Sequence, residues 1–293
     1  MLVTQLALVS ETSQINSSQL NRVAAALQKQ VLRDFSPIWN IPATVDAFDR
    51  LEDVQLGYWP MIVKDDIGQP GAAGVHQDNN GQPFSLIQYS DSWSLTASHE
   101  MLEMVCDPYG HRLVAGQSPK PDQGMVEFLV EVADPSEAPE NGYTVNGLLM
   151  SDFFTPHFYD PVAAPGVRYS FTGKLDGPRK ILPGGYISWH DPVSDHWWQQ
   201  IWFGTDQPRF RDLGRLTART GSLRAAIDSR TRTIERIAGT GPQSDRFAAA
   251  RALTAAVKES TSSRADGWRT RIEQLQAEPV VEGTWEGGEQ DNE

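Results

Sequence analysis

The chain has 293 residues, of which 39% are hydrophobic and 22% charged, and its formal net charge is −13. This composition is typical of a globular protein, and the acidic excess argues against a nucleic-acid partner. The single cysteine, Cys106, excludes an intrachain disulfide and a cysteine-rich zinc cluster. No run approaches the roughly 18 apolar residues that cross a bilayer, and the N-terminus lacks a signal-peptide pattern. We therefore expect a cytoplasmic protein with no membrane partner.

The N-terminal part of the chain predicts a strand, a helix and a second strand. Leu2–Ser10 is short and rich in strand-forming residues. From Asn16 onward, apolar residues recur at helical spacing, and this helix is predicted to end before Pro37. Ala43–Phe48 again favours a strand.

A third strand and a hairpin follow. Tyr58–Val63 favours a strand, although Pro60 argues against a central place in a sheet, because proline cannot donate to the ladder. Residues 78–81 have the sequence Asp-Asn-Asn-Gly, which indicates a tight turn between two strands. His76 precedes this turn and is expected to face solvent. The hairpin places an edge strand directly before the most informative stretch of the chain.

That stretch, residues 96–108, has the sequence Thr-Ala-Ser-His-Glu-Met-Leu-Glu-Met-Val-Cys-Asp-Pro. On a helix, His99 and Glu103 lie one turn apart on one face, where an imidazole nitrogen and a carboxylate oxygen can bind one cation. Glu100 lies about 100° round the helix, within reach of a water molecule beside that cation. The pattern is a variant of the His-Glu-x-x-His zinc helix, with Glu103 in place of the second histidine. Cys106 is interpreted as a buried, inert thiol.

A hydrolytic zinc site needs about three protein ligands and one open position. The acidic candidates for the third ligand are Glu131 first, Asp134 second, and Asp107 if the helix end curls inward. Glu131 belongs to a strand predicted at Met125–Val132, and Asp134 follows it. Glu100 is the candidate general base. Zinc is the expected metal, with calcium or manganese as alternatives for such a carboxylate-rich set. The opposite interpretation is an exposed amphipathic helix with solvated acids.

The motif also resembles that of a known group of proteins. Zincin-like proteins, among them the exordium or phosphate-induced group and bacterial proteins expected to be metallopeptidases, carry the pattern Ser-His-Glu-x-x-Glu-x-x-Thr-Asp-Pro. This chain is similar over about residues 1–135 and has Cys106 at the threonine position. The resemblance implies a zincin-like fold, with His99 and Glu103 as metal ligands and Glu100 as the base.

Residues 136–208 favour hairpins and long loops with many aromatic side chains. A stretch rich in histidine and tryptophan in this region is a candidate substrate pocket, with a histidine that could stabilise an oxyanion. The alternative is a tightly packed turn whose tryptophans belong to the core. The candidate residues are Trp189, His190, His196 and Trp197.

The pattern changes near residue 209. Residues 209–278 carry 14 Arg and Lys against 8 Asp and Glu, and their apolar residues recur at helical spacing. We predict a helical segment over 209–277 and a disordered acidic tail over 278–293. The basic segment, residues 210–277, is a candidate surface for self-association, or a helical hairpin packed on its own domain.

Together these patterns predict an α+β protein. Its expected parts are a zincin-like catalytic domain over 1–208, made of a core over 1–135 and an aromatic β-rich region over 136–208, followed by the helical segment. The expected function is a metal-dependent hydrolase, most specifically a zinc peptidase acting on an extended peptide or protein. The competing function is a non-catalytic zincin-scaffold protein that binds or assembles through its C-terminal Arg-rich helices.

Overall fold

The computed structural model describes residues 3–216, 222–237 and eight residues between 255 and 270. These residues form a mixed α+β structure with two five-stranded sheets and a short separate hairpin. The predicted acidic tail and much of the predicted helical segment lie outside the described residues. Within the described ranges, no helix combines the length and the apolar character needed to cross a bilayer.

The first sheet is mixed. Its strands in chain order are β1 (Thr4–Ser10), β2 (Ala43–Phe48), β3 (Trp59–Lys64), β4 (Gly74–Asn79) and β5 (Gln82–Gln88). The spatial order is β2-β1-β3-β5-β4, with β1 parallel to β2 and β3, and β3 parallel to β5. Strand β4 is antiparallel to β5 and lies at the edge of the sheet. The hairpin prediction is therefore confirmed.

Two details of this sheet depend on turn and proline chemistry. Asn80 and Gly81 have φ values of 52° and 81°, the left-handed conformation that a tight hairpin turn requires. Pro60, in contrast, lies in a central strand, so the prediction of a peripheral position is wrong. It pairs with Ala7 of β1, whereas pairing with β5 begins only at Met61. The proline therefore stands where β3 has a neighbour on one side only.

The first helical region is longer than predicted. Helix α1 (Ser17–Lys29) begins with a capping box at Asn16 and packs against the first sheet. It continues through a π-helical turn (Gln30–Phe35) into a short helix, α2 (Ser36–Trp39). The predicted end before Pro37 is wrong, because this proline lies in the first turn of α2, directly after the π-helical turn.

Helix α3 (Trp93–Cys106) contains the His-Glu motif and is buried along most of its length. It packs against β4 and β5. Its Asp107 cap accepts hydrogen bonds from two backbone N–H groups of the following loop. The interpretation of this segment as an exposed helix with solvated acids is therefore wrong, since Glu100 and Glu103 are both buried.

The second sheet is antiparallel. The strands that follow α3 are β6 (Leu113–Gln117), β7 (Met125–Leu129), the hairpin β8 (Tyr143–Val145) and β9 (Leu148–Met150), then β10 (Tyr186–Asp191), β11 (His196–Ile201) and β12 (Arg209–Gly214). The second sheet has the order β12-β11-β10-β7-β6. Strand β12 occupies the predicted start of the helical segment. The prediction of a helix over residues 209–214 is wrong, because these residues pair with β11.

Helix α4 (Leu223–Ile237) packs on this second sheet. Its Ile227 is fully buried in an apolar cluster with Leu129, Trp197 and Leu213. The side chain of Gln199 donates a hydrogen bond to Thr231 Oγ1 at 2.7 Å. Helix α4 is thus held against the second sheet.

Candidate metal centre

A cluster of buried charged side chains lies where α3, β4, the segment after β7 and α4 meet. Its members are His76, His99, Glu100, Glu103, Glu131, Asp134, Arg224 and Asp228. All are less than a tenth exposed except the side chain of His99, which is 13% exposed. Burial of charge is unfavourable unless the groups are paired or bind a metal. This concentration therefore marks the cluster as the candidate site.

His99, Glu103 and Asp134 form one group within it. The His99 Nε2 atom lies 3.4 Å from Glu103 Oε2 and 3.1 Å from Asp134 Oδ1. Asp134 begins a short 3-10 helix, and the N–H of Ala133 just before it donates to Glu103 Oε1 at 3.2 Å. Ligand atoms around a tetrahedral zinc lie about 3.3 Å apart. The spacing of these three groups therefore fits a shared cation.

The candidates for the third ligand differ in their contacts with His99. Asp134 joins His99, whereas Glu131, ranked first from the sequence, belongs to neither ligand group. Both Glu131 oxygens are buried and accept no hydrogen bond from any described residue. The Oε1 atom of Glu131 lies 4.0 Å from a guanidinium nitrogen of Arg224. Asp107 is engaged in capping α3.

His76 was missed. It is 2% exposed, so the expectation that it faces solvent is wrong. Its Nε2 atom lies 3.1 Å from the carbonyl oxygen of Asp107. Its Nδ1 atom lies 3.6 Å from Glu100 Oε2 and 3.8 Å from Glu103 Oε2. His76, Glu100 and Glu103 therefore form a second ligand group, which shares Glu103 with the first.

Arg224 of α4 supplies a cation to the same cluster and was also missed. Its guanidinium contacts Glu103 Oε2, and its Nε atom lies 3.4 Å from Asp228 Oδ2. The backbone N–H of Arg224 donates to the carbonyl oxygen of Gly110 at 3.2 Å. A Cβ atom at Gly110 would lie 2.8 Å from Ser222 Oγ, so glycine permits the close approach of α4.

Burial and neighbouring charges shift the pKa values of the carboxyl groups in different directions. Burial, assisted by the charge of Glu103, raises the pKa of Asp134 to about 8. Burial and the neighbouring Asp134 raise the pKa of Glu131 well above its usual range. Burial opposes the ionisation of Glu103, but Arg224 and His99 outweigh it and lower the pKa of this carboxyl. Burial likewise opposes charge on His99, but Glu103 and Asp134 hold its pKa well above the ordinary value.

A buried hydrogen-bond network holds α3 behind the cluster. Ser98 Oγ donates to Gln30 Oε1 at 2.7 Å and accepts from the N–H of Ser151 at 2.9 Å. The Gln30 side chain in turn donates to the carbonyl oxygen of Ser151 at 3.0 Å. Since Ser98 precedes His99, this network fixes the rotation of the helix that carries the histidine.

The predicted substrate pocket is not supported by the arrangement of its residues. Trp189 is fully buried. Trp197 is 5% exposed and belongs to the apolar cluster beneath α4. In the β10–β11 register Trp189 pairs with Trp198, and His190 pairs with Trp197. Because side chains alternate along a strand, Trp189 and His190 lie on opposite faces of the sheet.

The two histidines are bonded to acidic neighbours. His190 bonds Glu127 and Asp195, and His196 bonds Asp212. The interpretation as a packed turn with core tryptophans describes these residues better.

The described residues thus define a mixed α+β protein with a buried cluster of histidines, carboxylates and an arginine, a combination found at functional sites and in structural ion-pair networks. Comparison with protein-family models, with curated proteins and with solved structures finds no match to this chain. Its function must therefore be derived from the geometry and the charge of the site itself.

Proposed function

We propose that the chain is a metal-dependent hydrolase, most specifically a zinc peptidase. The observation that carries this proposal is the grouping of His99, Glu103 and Asp134 at ligand spacing inside a cluster where carboxylates outnumber cations. These three residues would hold zinc, and their two carboxylates also suit manganese or calcium. A divalent cation bound there supplies Lewis acidity, which polarises a substrate carbonyl and makes water more acidic at neutral pH.

Glu100 is the proposed general base. It follows His99 on α3, and its side chain is almost fully buried. Its Oε2 atom accepts no hydrogen bond from the described residues. In this role Glu100 takes a proton from the attacking water and passes it to the leaving amine.

The position of β4 supports an extended peptide or protein as the substrate. This strand is an edge of the first sheet and pairs with β5 alone among the described strands. Edge strands present backbone N–H and C=O groups to which an extended chain can add. Strand β4 also carries His76, which reaches the cluster. A peptide added along this edge would run beside the proposed centre.

Metal analysis of paired variants tests the proposal. The full-length protein is dialysed against zinc, analysed for bound metal and assayed on a mixture of fluorogenic peptides. We expect at least one zinc per chain in the wild type and its loss from the His99 group in His99→Ala. We expect Glu100→Gln to keep that zinc and to be about a hundredfold or more less active. A wild type that binds no metal, together with unchanged folding of His99→Ala, would overturn the proposal.

Arg224 favours a second candidate, a non-catalytic protein that keeps the scaffold for binding or assembly through residues 210–277. Its guanidinium already contacts Glu103, the carboxylate common to both ligand groups. An internal cation can replace part of the charge of a metal ion. A metal-free protein that self-associates in light scattering, and becomes monomeric when truncated after residue 237, would favour this candidate over the hydrolase.

A further inference from the structure

We infer that the cluster holds a second divalent cation, bound by His76, Glu100 and Glu103, so that Glu103 bridges two metal ions. This inference rests on the proposed hydrolase function and changes the chemistry of its site. In the single-metal scheme Glu100 is a base, whereas here it is a ligand.

The hydrogen bonding of His76 leaves one nitrogen directed at the cluster. A carbonyl oxygen can only accept, so the contact of 3.1 Å with the Asp107 carbonyl requires the proton on Nε2. The Nδ1 atom has no hydrogen-bond partner among the described residues although His76 is 98% buried, and in the neutral ring this atom carries the lone pair that can bind a metal. Metal-binding histidines characteristically donate their other ring N–H to a carbonyl or a carboxylate.

The distances around Nδ1 favour a cation over a hydrogen bond. The Glu100 and Glu103 oxygens lie 3.6 and 3.8 Å from His76 Nδ1. A hydrogen bond between nitrogen and oxygen is about 2.7–3.2 Å long, so a proton on Nδ1 would bond neither carboxylate well. Ligand atoms around one metal ion lie about 3.3 Å apart or slightly more for a larger ion. The three atoms therefore leave room for an ion between them.

The charge of the cluster is compatible with more than one cation. It contains five buried carboxyl groups, on Glu100, Glu103, Glu131, Asp134 and Asp228. Arg224 is the permanently charged cation among its described members. One divalent ion leaves an excess of negative charge if all five groups ionise and both histidines stay neutral. In that limiting case two divalent ions and Arg224 balance the five carboxylates.

Close packing fixes Glu100 where the second site needs it. A Cβ atom at Gly74 of β4 would lie 2.7 Å from Glu100 Oε1 and 2.7 Å from Thr96 Cγ2. Any larger residue at Gly74 would displace the carboxylate or the strand. The edge strand therefore lies directly on Glu100 and holds it beside His76, two residues further along β4.

Manganese binding by the full-length protein tests this inference independently of activity. Metal-free protein is equilibrated with Mn²⁺, and bound metal is measured by elemental analysis and by electron paramagnetic resonance. We expect two manganese ions per chain with a spin-coupled signal, because a bridging carboxylate holds two metals about 3.5–4 Å apart. His76→Ala should bind one ion and give an uncoupled signal. The control His157→Ala removes an exposed histidine that pairs with Asp160 and should keep both ions.

Other results would contradict the second site, the hydrolase proposal or both. One ion per chain in the wild type, retained in His76→Ala and lost in His99→Ala, overturns the second site and leaves the hydrolase proposal intact. No bound metal in the wild type overturns both. Where His76→Ala does not fold, Glu100→Gln takes its place: it should keep the ion of the His99 group, lose the second ion and give an uncoupled signal. An uncoupled signal from fully loaded wild-type protein contradicts the bridge.

Discussion

The guanidinium of Arg224 contacts the same carboxylate oxygen, Glu103 Oε2, that faces both His76 and His99. One oxygen on α3 is therefore shared by both ligand groups and by a side chain from α4. Because a guanidinium and a metal ion are attracted to the same lone pairs, Arg224 would compete with a cation bound at the proposed centre. Under the proposed function, this contact would couple metal affinity to the docking of α4 on the second sheet.

Replacing Arg224 with methionine removes the charge and keeps much of the side-chain volume. We expect the metal-free variant to be less stable by roughly 3–5 kcal/mol, because its buried carboxylates lose their partner. We expect zinc affinity to rise about tenfold or more, since the cation no longer meets a competing positive charge. Urea unfolding and competition with a chelating dye measure the two effects.

Arg230→Met is the matched control for this substitution. Arg230 lies on the same helix, but its guanidinium donates to the carbonyl oxygen of Leu213. We expect it to leave zinc affinity unchanged. Equal zinc affinities for wild type and Arg224→Met would show that Arg224 does not compete with metal.

The stability of the metal-free protein should fall as pH rises from about 5 to about 9. The pKa of Asp134 is about 8 in the folded state, against about 3.9 in an unfolded chain, and the pKa of His99 is also raised. Protons bind these groups more tightly in the folded state, so the stabilisation is complete at low pH and is lost as pH rises through the folded values. Glu103, whose pKa is lowered, loses its contribution only in acid.

Thermal unfolding with and without zinc checks this pH dependence. Bound zinc replaces the protons, so it should flatten the slope or reverse it. Asp134→Asn stays neutral throughout and should give a shallower slope in the metal-free state. A midpoint that increases steadily with pH in the metal-free wild type would be inconsistent with these pKa values.

Ser98→Ala should destabilise the protein by about 1–3 kcal/mol. The substitution leaves Gln30 Oε1 and the N–H of Ser151 without their partner in a buried site. Ser17→Ala is the control, because Ser17 bonds Asp49 at the surface, and its effect should be within about 0.5 kcal/mol. Urea unfolding of metal-free protein measures both, and equal losses would argue against a special role of the Ser98 network.

Cys106 should be unreactive in the folded protein. Burial raises the pKa of its thiol, and Arg112 offsets only part of that effect. We expect Ellman's reagent at about pH 8 to react at least about a hundredfold more slowly with native than with unfolded protein. One thiol per chain should titrate in denaturant, since the sequence contains one cysteine. Rapid stoichiometric labelling of the native protein would contradict the buried position.

Local sequence patterns were sufficient for the elements that carry the motif. Helical periodicity places His99 and Glu103 one turn apart, and the chemistry of Asn80 and Gly81 specifies the hairpin before α3. Cys106 was also interpreted correctly as buried. These features depend on neighbours within one or two turns, so no tertiary contact was needed to predict them.

The remaining features depend on contacts between distant parts of the chain. His76 is buried because α3 covers one face of β4, and nothing within the strand specifies which face is covered. Arg224 reaches the cluster only because α4 docks on the second sheet. Residues 209–214 directly precede a stretch whose apolar residues recur at helical spacing, but pairing with β11 determines their own conformation.

The most direct test of the proposed centre is anomalous diffraction at the zinc edge from crystals of the zinc-loaded protein. We expect an anomalous peak about 2.0–2.2 Å from His99 Nε2 and from carboxylate oxygens of Glu103 and Asp134. A second peak beside His76 and Glu100 would extend the result to two metal ions. Fully loaded crystals with no peak in this cluster, and with Arg224 still on Glu103, would contradict the assignment of a metal centre.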